Sequence, residues 1–382
     1  MTVNKYERTI EISRLRKATM SEYLVVRNLV KEYSPGKGVL DISFSCAEGN
    51  FMVILGPSGA GKTTTLNLIA GLLQPDSGEI KMDNRDVSRI QPRDRKVSMA
   101  FEDYALYPTH SIFENIASPL RARKEVEEVV KEKVTTIAKL VGIDKHLHKL
   151  PSQVSGGQKQ RTGLARCLVR DADFYLLDEP IAHLDAKLRH RMRGEFKRTH
   201  MELGKTMIYV THDYREALAL ADTIIVMNEG KIIQIGSADD IFSRPKNTFV
   251  ATLLGDPPMN LVPFDSARVI DGNLTLTGAA GTIKVAGTPL PDIDHSDVIL
   301  GFRDFTVSLE DPGSGIPGSV YVYEAIEDQK IYTISIGDTR VKVRTPRTVT
   351  KELNEEVGIR LNPKKFHLFE SSTGENIVGR ED

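Results

Sequence analysis

The chain has 382 residues and a formal net charge of -1, a length that predicts two or three domains and a balance with no basic excess for DNA or RNA. Its two cysteines, Cys46 and Cys167, cannot build a disulfide framework and fit a reducing cytoplasm. No apolar run approaches the length that spans a bilayer and no signal peptide is visible, so any work at a membrane is expected from the water side.

Residues 1–22 read as an N-terminal extension, polar and rich in Arg and Lys. Met20 stands just before the first strand-like run, so the extension is either a disordered arm or the product of an upstream start. Residues 31–38 read as a turn between two strands, with Tyr33 as its exposed aromatic. That tyrosine is either ordinary surface or a face on which an adenine ring can stack.

The apolar run 51–55 predicts a buried strand, and 64–70 predicts a helix stopped by Gly71. Between them stand Gly56, Pro57, Ser58, Gly59, Ala60, Gly61, Lys62 and Thr63, which fill every fixed position of G-x-x-x-x-G-K-[ST]. Strand, glycine loop and helix are the context that this motif needs. The glycines let the backbone bend towards a phosphate, and the unpaired N–H groups of a helix start favour an anion. Lys62 can reach the outer phosphates of a nucleotide, and the Thr63 hydroxyl can ligate Mg²⁺. The plain alternative, a tight strand-to-helix turn, leaves the full motif unexplained.

Further along, residues 97–101 read as a short strand ending at Glu102, and 111–150 turn helical, with valines at helical spacing opposite a charged face. A helical insertion over about 103–158 is expected inside an α/β core. Ser155 followed by Gln158 is a capping box, and Gly156 and Gly157 leave bare N–H groups at that helix start, a second anion site. Residues 174–180 form an apolar strand ending in Asp178 and Glu179. Asp178 suits Mg²⁺, and Glu179 can accept a proton from water attacking a γ-phosphate. Another strand, 206–210, leads to His212. Past Gly236 the composition changes. A connecting helix broken at Pro245 and a stiff linker at 255–258 precede short alternating runs at 273–277, 282–285, 298–302, 319–323, 331–336 and 340–344, separated by turn residues. This predicts an all-β domain over 239–382, with no catalytic set in it.

The order Gly56 to Thr63, Ser155-Gly156-Gly157-Gln158, Asp178-Glu179-Pro180, Leu184-Asp185 and His212 resembles the nucleotide-binding subunit of ABC transporters over about residues 23–240. Tyr104 to Pro108, Glu114-Asn115 and Leu184 to Arg189 are similar to the ATPases of bacterial carbohydrate importers of the maltose and glycerol-3-phosphate type. The resemblance implies a P-loop ATPase of the ABC type over 23–238 and an OB-like β domain over 239–382. It implies ATP and Mg²⁺ as cofactors, with Tyr33 stacked on adenine, Lys62 and the loop through Thr64 on the phosphates, and Thr63 and Asp178 on the metal. Glu179 is then the general base and His212 contacts the γ-phosphate, while Ser155, Gly156, Gly157 and Gln158 close on the nucleotide of an opposite chain and Asp185 sits at the seam. The implied partners are a second ATPase chain (homo- or heterodimer), two membrane-spanning permeases and a solute-binding protein, at the cytoplasmic face of the bacterial inner membrane, with no nucleic acid.

Three positions depart from the family pattern: Val154 in place of Leu, His183 in place of a smaller polar residue, and Glu102 in place of Gln. Glu102 is expected near the nucleotide and the metal. Gly301-Phe302-Arg303 resembles a segment of the importer family, without a binding role carried to it. Two other classes stay open: a soluble ABC-type ATPase acting on nucleic acid or ribosomes, and an ATP-switched regulatory protein. The near-neutral charge argues against the first, and intact Glu179 and His212 against the second.

Overall fold

A computed structural model describes residues 22–378 except His183, Ala280 and Pro289. The extension expected over 1–22 therefore lies, but for Glu22, outside the described residues, as does the departure at His183. The chain divides into two compact units, Met1–Ala238 and Asp239–Asp382.

The first unit begins with β1 (Glu22–Ser34) and β2 (Lys37–Ala47), an antiparallel pair whose turn is tighter than residues 31–38, because Lys31 and Glu32 still pair with Val39 and Gly38. Next come β3 (Phe51–Leu55), α1 (Lys62–Ala70), β4 (Ser77–Met82), β5 (Arg85–Asp86) and β6 (Val97–Ala100). The helical stretch resolves into α2 (Ile112–Arg121), α3 (Glu127–Val141) and α4 (Gly156–Leu168). After it follow β7 (Phe174–Asp178), α5 (Ala186–Leu203), β8 (Thr206–Thr211), α6 (Tyr214–Leu220), β9 (Thr223–Asn228) and β10 (Lys231–Gly236).

Two sheets result. One is antiparallel, in the order β2-β1-β4-β5; the other runs β10-β9-β3-β8-β7-β6, parallel except for β10. The whole lengths of β3, β7 and β8 are buried, as parallel strands covered on both faces require. Their register decides where chemistry is placed. Leu55 lies opposite Thr211, and Asp178 opposite Val210. The carboxyl ends of all three strands therefore finish side by side, and the residues that follow them, Gly56, Glu179 and His212, emerge at one edge.

The connecting helix is broken into α7 (Ala238–Ser243), whose first residue ends the first unit, and α8 (Thr248–Leu253). The strands β11 (Asn260–Ile270), β12 (Asn273–Gly278), β13 (Gly281–Val285), β14 (Ile293–Phe302), β15 (Val307–Glu310), β16 (Ile316–Ile326), β17 (Gln329–Ile336), β18 (Thr339–Pro346), β19 (Glu356–Leu361) and β20 (Phe366–Glu370) complete the second unit. They form two antiparallel sheets, β13-β12-β11-β14-β20 and β15-β19-β16-β17-β18, around one apolar core that includes Phe302, Tyr332 and Leu368. This is the expected all-β, OB-like part of the fold. Arg303 is buried here, and its guanidinium donates to the carbonyls of Phe242, Ala251 and Leu254 while lying over the Phe242 ring. Gly301-Phe302-Arg303 thus ties the α7 and α8 ends to the β core.

Candidate nucleotide site

The loop between β3 and α1 is shaped by positions where only glycine fits. A Cβ on Gly56 would stand 2.3 Å from the Met227 carbonyl oxygen. Gly61 has φ +96°, and a Cβ there would stand 2.8 Å from the oxygen of Gly38, at the start of β2. Gly61 is the N-cap of α1 and supplies no side-chain acceptor, so the first turn keeps free N–H groups. Pro57, Ser58, Gly59, Thr63 and Thr64 are wholly or partly exposed around that helix start, whereas Ala60 is buried beneath it.

Lys62 is buried, and its ammonium donates to the Pro57 carbonyl across the loop at 2.9 Å. Burial lowers its pKa, against the pull of Glu179, Asp178 and Glu102. Thr63 Oγ1 donates to Asp178 Oδ1 at 3.2 Å. Asp178 is 2% exposed, and burial pushes its carboxyl up to about 6. The Thr63 bond and Lys62 oppose the rise, while Glu102 and Glu179 add to it.

Glu179 follows at φ +43°, its N–H bonded to the Val210 carbonyl at 3.0 Å and its own carbonyl accepting from the buried Gln160 amide at 3.1 Å. Both Glu179 carboxylate oxygens lie 3.0 Å from His212 Nδ1. With a carboxylate as the acceptor, the ring proton of the neutral imidazole is assigned to Nδ1.

Glu102 opens onto a cavity of about 460 Å³ that it lines with Thr63, Asn67, Phe101, Asp103, Tyr104 and Asp178. The Thr63 hydroxyl and Asp178 carboxylate are hard oxygen donors on one wall. Among the described residues no three His, Cys, Asp or Glu side chains form a metal cage. This donor set fits Mg²⁺, which keeps its waters and takes one or two protein oxygens beside phosphate.

The structure thus brings together the loop, Lys62, Thr63, Asp178, Glu179, His212 and Glu102. Tyr33 lies near the end of β1 and is 60% exposed. The Ser155 to Gln158 segment starts α4 with its capping box formed, Ser155 Oγ accepting from the Gln158 N–H and Gln158 Oε1 from the Ser155 N–H. Asp185 caps α5 by accepting from the Leu188 N–H. Among the described residues, none of these last three groups hydrogen-bonds to the phosphate loop.

Sequence reasoning missed the supports behind these groups. Thr65 Oγ1 donates to the Gly61 carbonyl, Arg95 donates to the Leu68 and Ile69 carbonyls at the end of α1, and Asn115 holds the 107–111 backbone through Tyr107, His110 and Ser111. Glu216 is buried and accepts from Tyr209 and Thr211 hydroxyls, and burial raises its pKa. Its place three residues after Asp213, at the start of a helix, was the one signal available.

A family model described as ABC transporter matches residues 39–182. The chain is 38% identical to a sulfoquinovosyl glycerol transport ATP-binding protein of Agrobacterium fabrum, covering 92% of this chain and 98% of that one. It is 36% identical to a trehalose/maltose import ATP-binding protein of Thermococcus litoralis, over 91% and 97% of the two chains. It is also 36% identical to an sn-glycerol-3-phosphate import ATP-binding protein of Bordetella avium, over 93% and 99%. Among solved structures, a dimeric ATP-binding cassette in a post-hydrolysis state with ADP and Pi superposes with a TM-score of 0.53 at 28% identity, covering 56% of this chain and 98% of that chain.

Proposed function

We propose, for a chain that belongs to the family of ABC transporter ATP-binding proteins, that it hydrolyses ATP to power uptake of a carbohydrate or polyol-type solute through membrane permeases. The observation that supports this best is the common edge of β3, β7 and β8, which gathers a phosphate loop, a buried carboxylate and a Glu–His pair.

ATP binds with its β- and γ-phosphates on the loop from Gly56 to Thr64, where helix-start N–H groups and Lys62 meet the charge. Lys62 exchanges its bond to the Pro57 carbonyl for phosphate oxygen, which restores a counter-charge to a buried ammonium. Thr63 and Asp178 hold Mg²⁺, with Glu102 close by; the ion supplies neutralisation of the phosphate charge. Glu179 accepts the proton of the attacking water, and His212 keeps that carboxylate aimed and contacts the γ-phosphate. Tyr33 stacks on adenine. Ser155, Gly156, Gly157, Gln158 and Asp185 meet the nucleotide of a second ATPase chain.

The full assembly in this reading has two ATPase chains, two permeases and a solute-binding protein, with the ATPases on the cytoplasmic face of the bacterial inner membrane. The test is to express the chain with the permeases of its neighbouring genes and to reconstitute them. ATP turnover stimulated by a loaded solute-binding protein supports the reading. Turnover stimulated by RNA or DNA instead, with no permease bound, refutes it.

A further inference from the structure

Glu179 and His212 belong to different strand ends, and their 3.0 Å contact is made by two side chains alone. Something must hold the turn after β7 and the loop after β8 in step. From the side of β8, the loop is pinned from behind. The Thr211 hydroxyl donates to Glu216 Oε2 at 2.8 Å and accepts from the Asp213 N–H at 3.0 Å, so the residues on both sides of His212 are fixed. Tyr209 donates to the same Glu216 oxygen at 2.8 Å, and Tyr209, Thr211 and Glu216 are all buried.

From the side of β7, one side chain reaches across. Arg189 sits in the first turn of α5, its N–H bonded to the Asp185 carbonyl at 2.8 Å. Its Nη2 donates to the carbonyls of Ala182 and Leu184, both at 3.1 Å, in the turn that follows Glu179. Its Nη1 faces Asp213 Oδ2 at 3.8 Å, beside His212. The other Asp213 oxygen accepts from the Arg215 N–H at 2.8 Å and so cannot swing away. A planar guanidinium can hold two carbonyls and a carboxylate at once, which an ammonium cannot.

We propose that Arg189 is a positioning residue for ATP hydrolysis: it fixes the loop that carries His212 to the turn that follows Glu179. This rests on the reading of Glu179 and His212 as the hydrolytic pair. Among the described residues the polar partners of the Arg189 side chain are Ala182, Leu184 and Asp213, none of them in the phosphate loop, so its loss is expected to act on turnover and not on nucleotide binding.

The test uses the full-length chain as wild type, R189A, R189K, H212A and R189A/H212A, with E179Q as control. Steady-state and single-turnover hydrolysis of labelled ATP are measured together with nucleotide affinity. R189A is expected to lower kcat by about tenfold or more, since small misplacements of reacting groups cost that much, while KM and affinity stay within about twofold. R189K is expected to recover part of the loss. Adding R189A to H212A is expected to cost nothing further, because Arg189 acts through His212. Wild-type kcat in R189A, or a second independent loss in the double variant, overturns the proposal. Where R189A does not fold, D213N and R189K carry the same comparison in the H212A background. Full activity in E179Q brings down the hydrolytic reading itself; an inactive E179Q with an unaffected R189A brings down only the role of Arg189.

Discussion

Replacing Asp178 with Asn should make the nucleotide-free chain more stable while abolishing its work. The carboxyl is 2% exposed, and burial lifts it from an ordinary 3.8 to about 6. A raised carboxylate pKa is a penalty on the folded state that is absent below the unfolded value, grows through the interval between the two values, and is complete above the folded one. At 1.36 kcal/mol per unit, the ionised folded state carries about 3 kcal/mol at pH 8 and about 0.6 kcal/mol at pH 4. Asn keeps the shape and still accepts from Thr63, so D178N removes the charge and puts an NH₂ donor where the second oxygen stood, on the cavity that Glu102 also lines. Urea denaturation of apo wild type and D178N, followed by a probe in the first unit, measures the difference. The variant should gain on the order of 3 kcal/mol at pH 8, and the gain should shrink steadily as the pH falls towards 4. With MgATP the ranking should reverse, because only the carboxylate has a cation to hold. A D178N chain no more stable than wild type at pH 8, or a gain that does not depend on pH, would refute the account of a carboxylate held ready for a metal at a cost in stability.

E179Q, which keeps the shape but removes the base, should bind ATP normally and lose about 10²-fold or more in turnover, leaving an ATP-bound dimer visible by size-exclusion chromatography. Wild-type turnover there removes Glu179 from its role. K62A should lose nucleotide affinity in an equilibrium binding assay, because the buried cation that meets the phosphates is gone; unchanged affinity counts against the loop. E102Q should shift the Mg²⁺ dependence of hydrolysis and leave metal-free ATP binding nearly as it was, since Glu102 shares a cavity with Thr63 and Asp178. Superimposable Mg²⁺ titrations would remove Glu102 from the metal.

What could be read from the sequence differed by kind. The loop, the capping box at Ser155 and the paired carboxylates were legible because each is local: glycines for a strained turn, Ser and Gln three apart, an apolar strand ending in Asp-Glu. Several strands of the second unit were not. β11 contains Pro263, β19 contains Gly358, and β15 and β20 are four and five residues long. Pro263 and Gly358 interrupt the period in β11 and β19. Gly358 is glycine for a reason no pattern announces: a Cβ there would stand 1.8 Å from the Ser314 carbonyl oxygen.

The arrangement of the site lies on a different link of the chain from sequence to function. His212 and Glu179 are 33 residues apart, and they meet because Asp178 pairs with Val210. A one-residue slip would turn every side chain of the strand to the opposite face. In a strand exposed on one side, the hydrophobic alternation would reveal that register. Here β7 and β8 are buried on both faces, so their apolar runs read the same in either register and say nothing about which residues end level. What sequence does not announce is the polar support at these strand ends: Gln160 on the Glu179 carbonyl, Glu216 on Thr211, and Arg189 between the two loops. Motifs name the groups that do chemistry. The polar residues packed behind those groups, each of which, read alone, looks like an ordinary member of its helix, carry no such label.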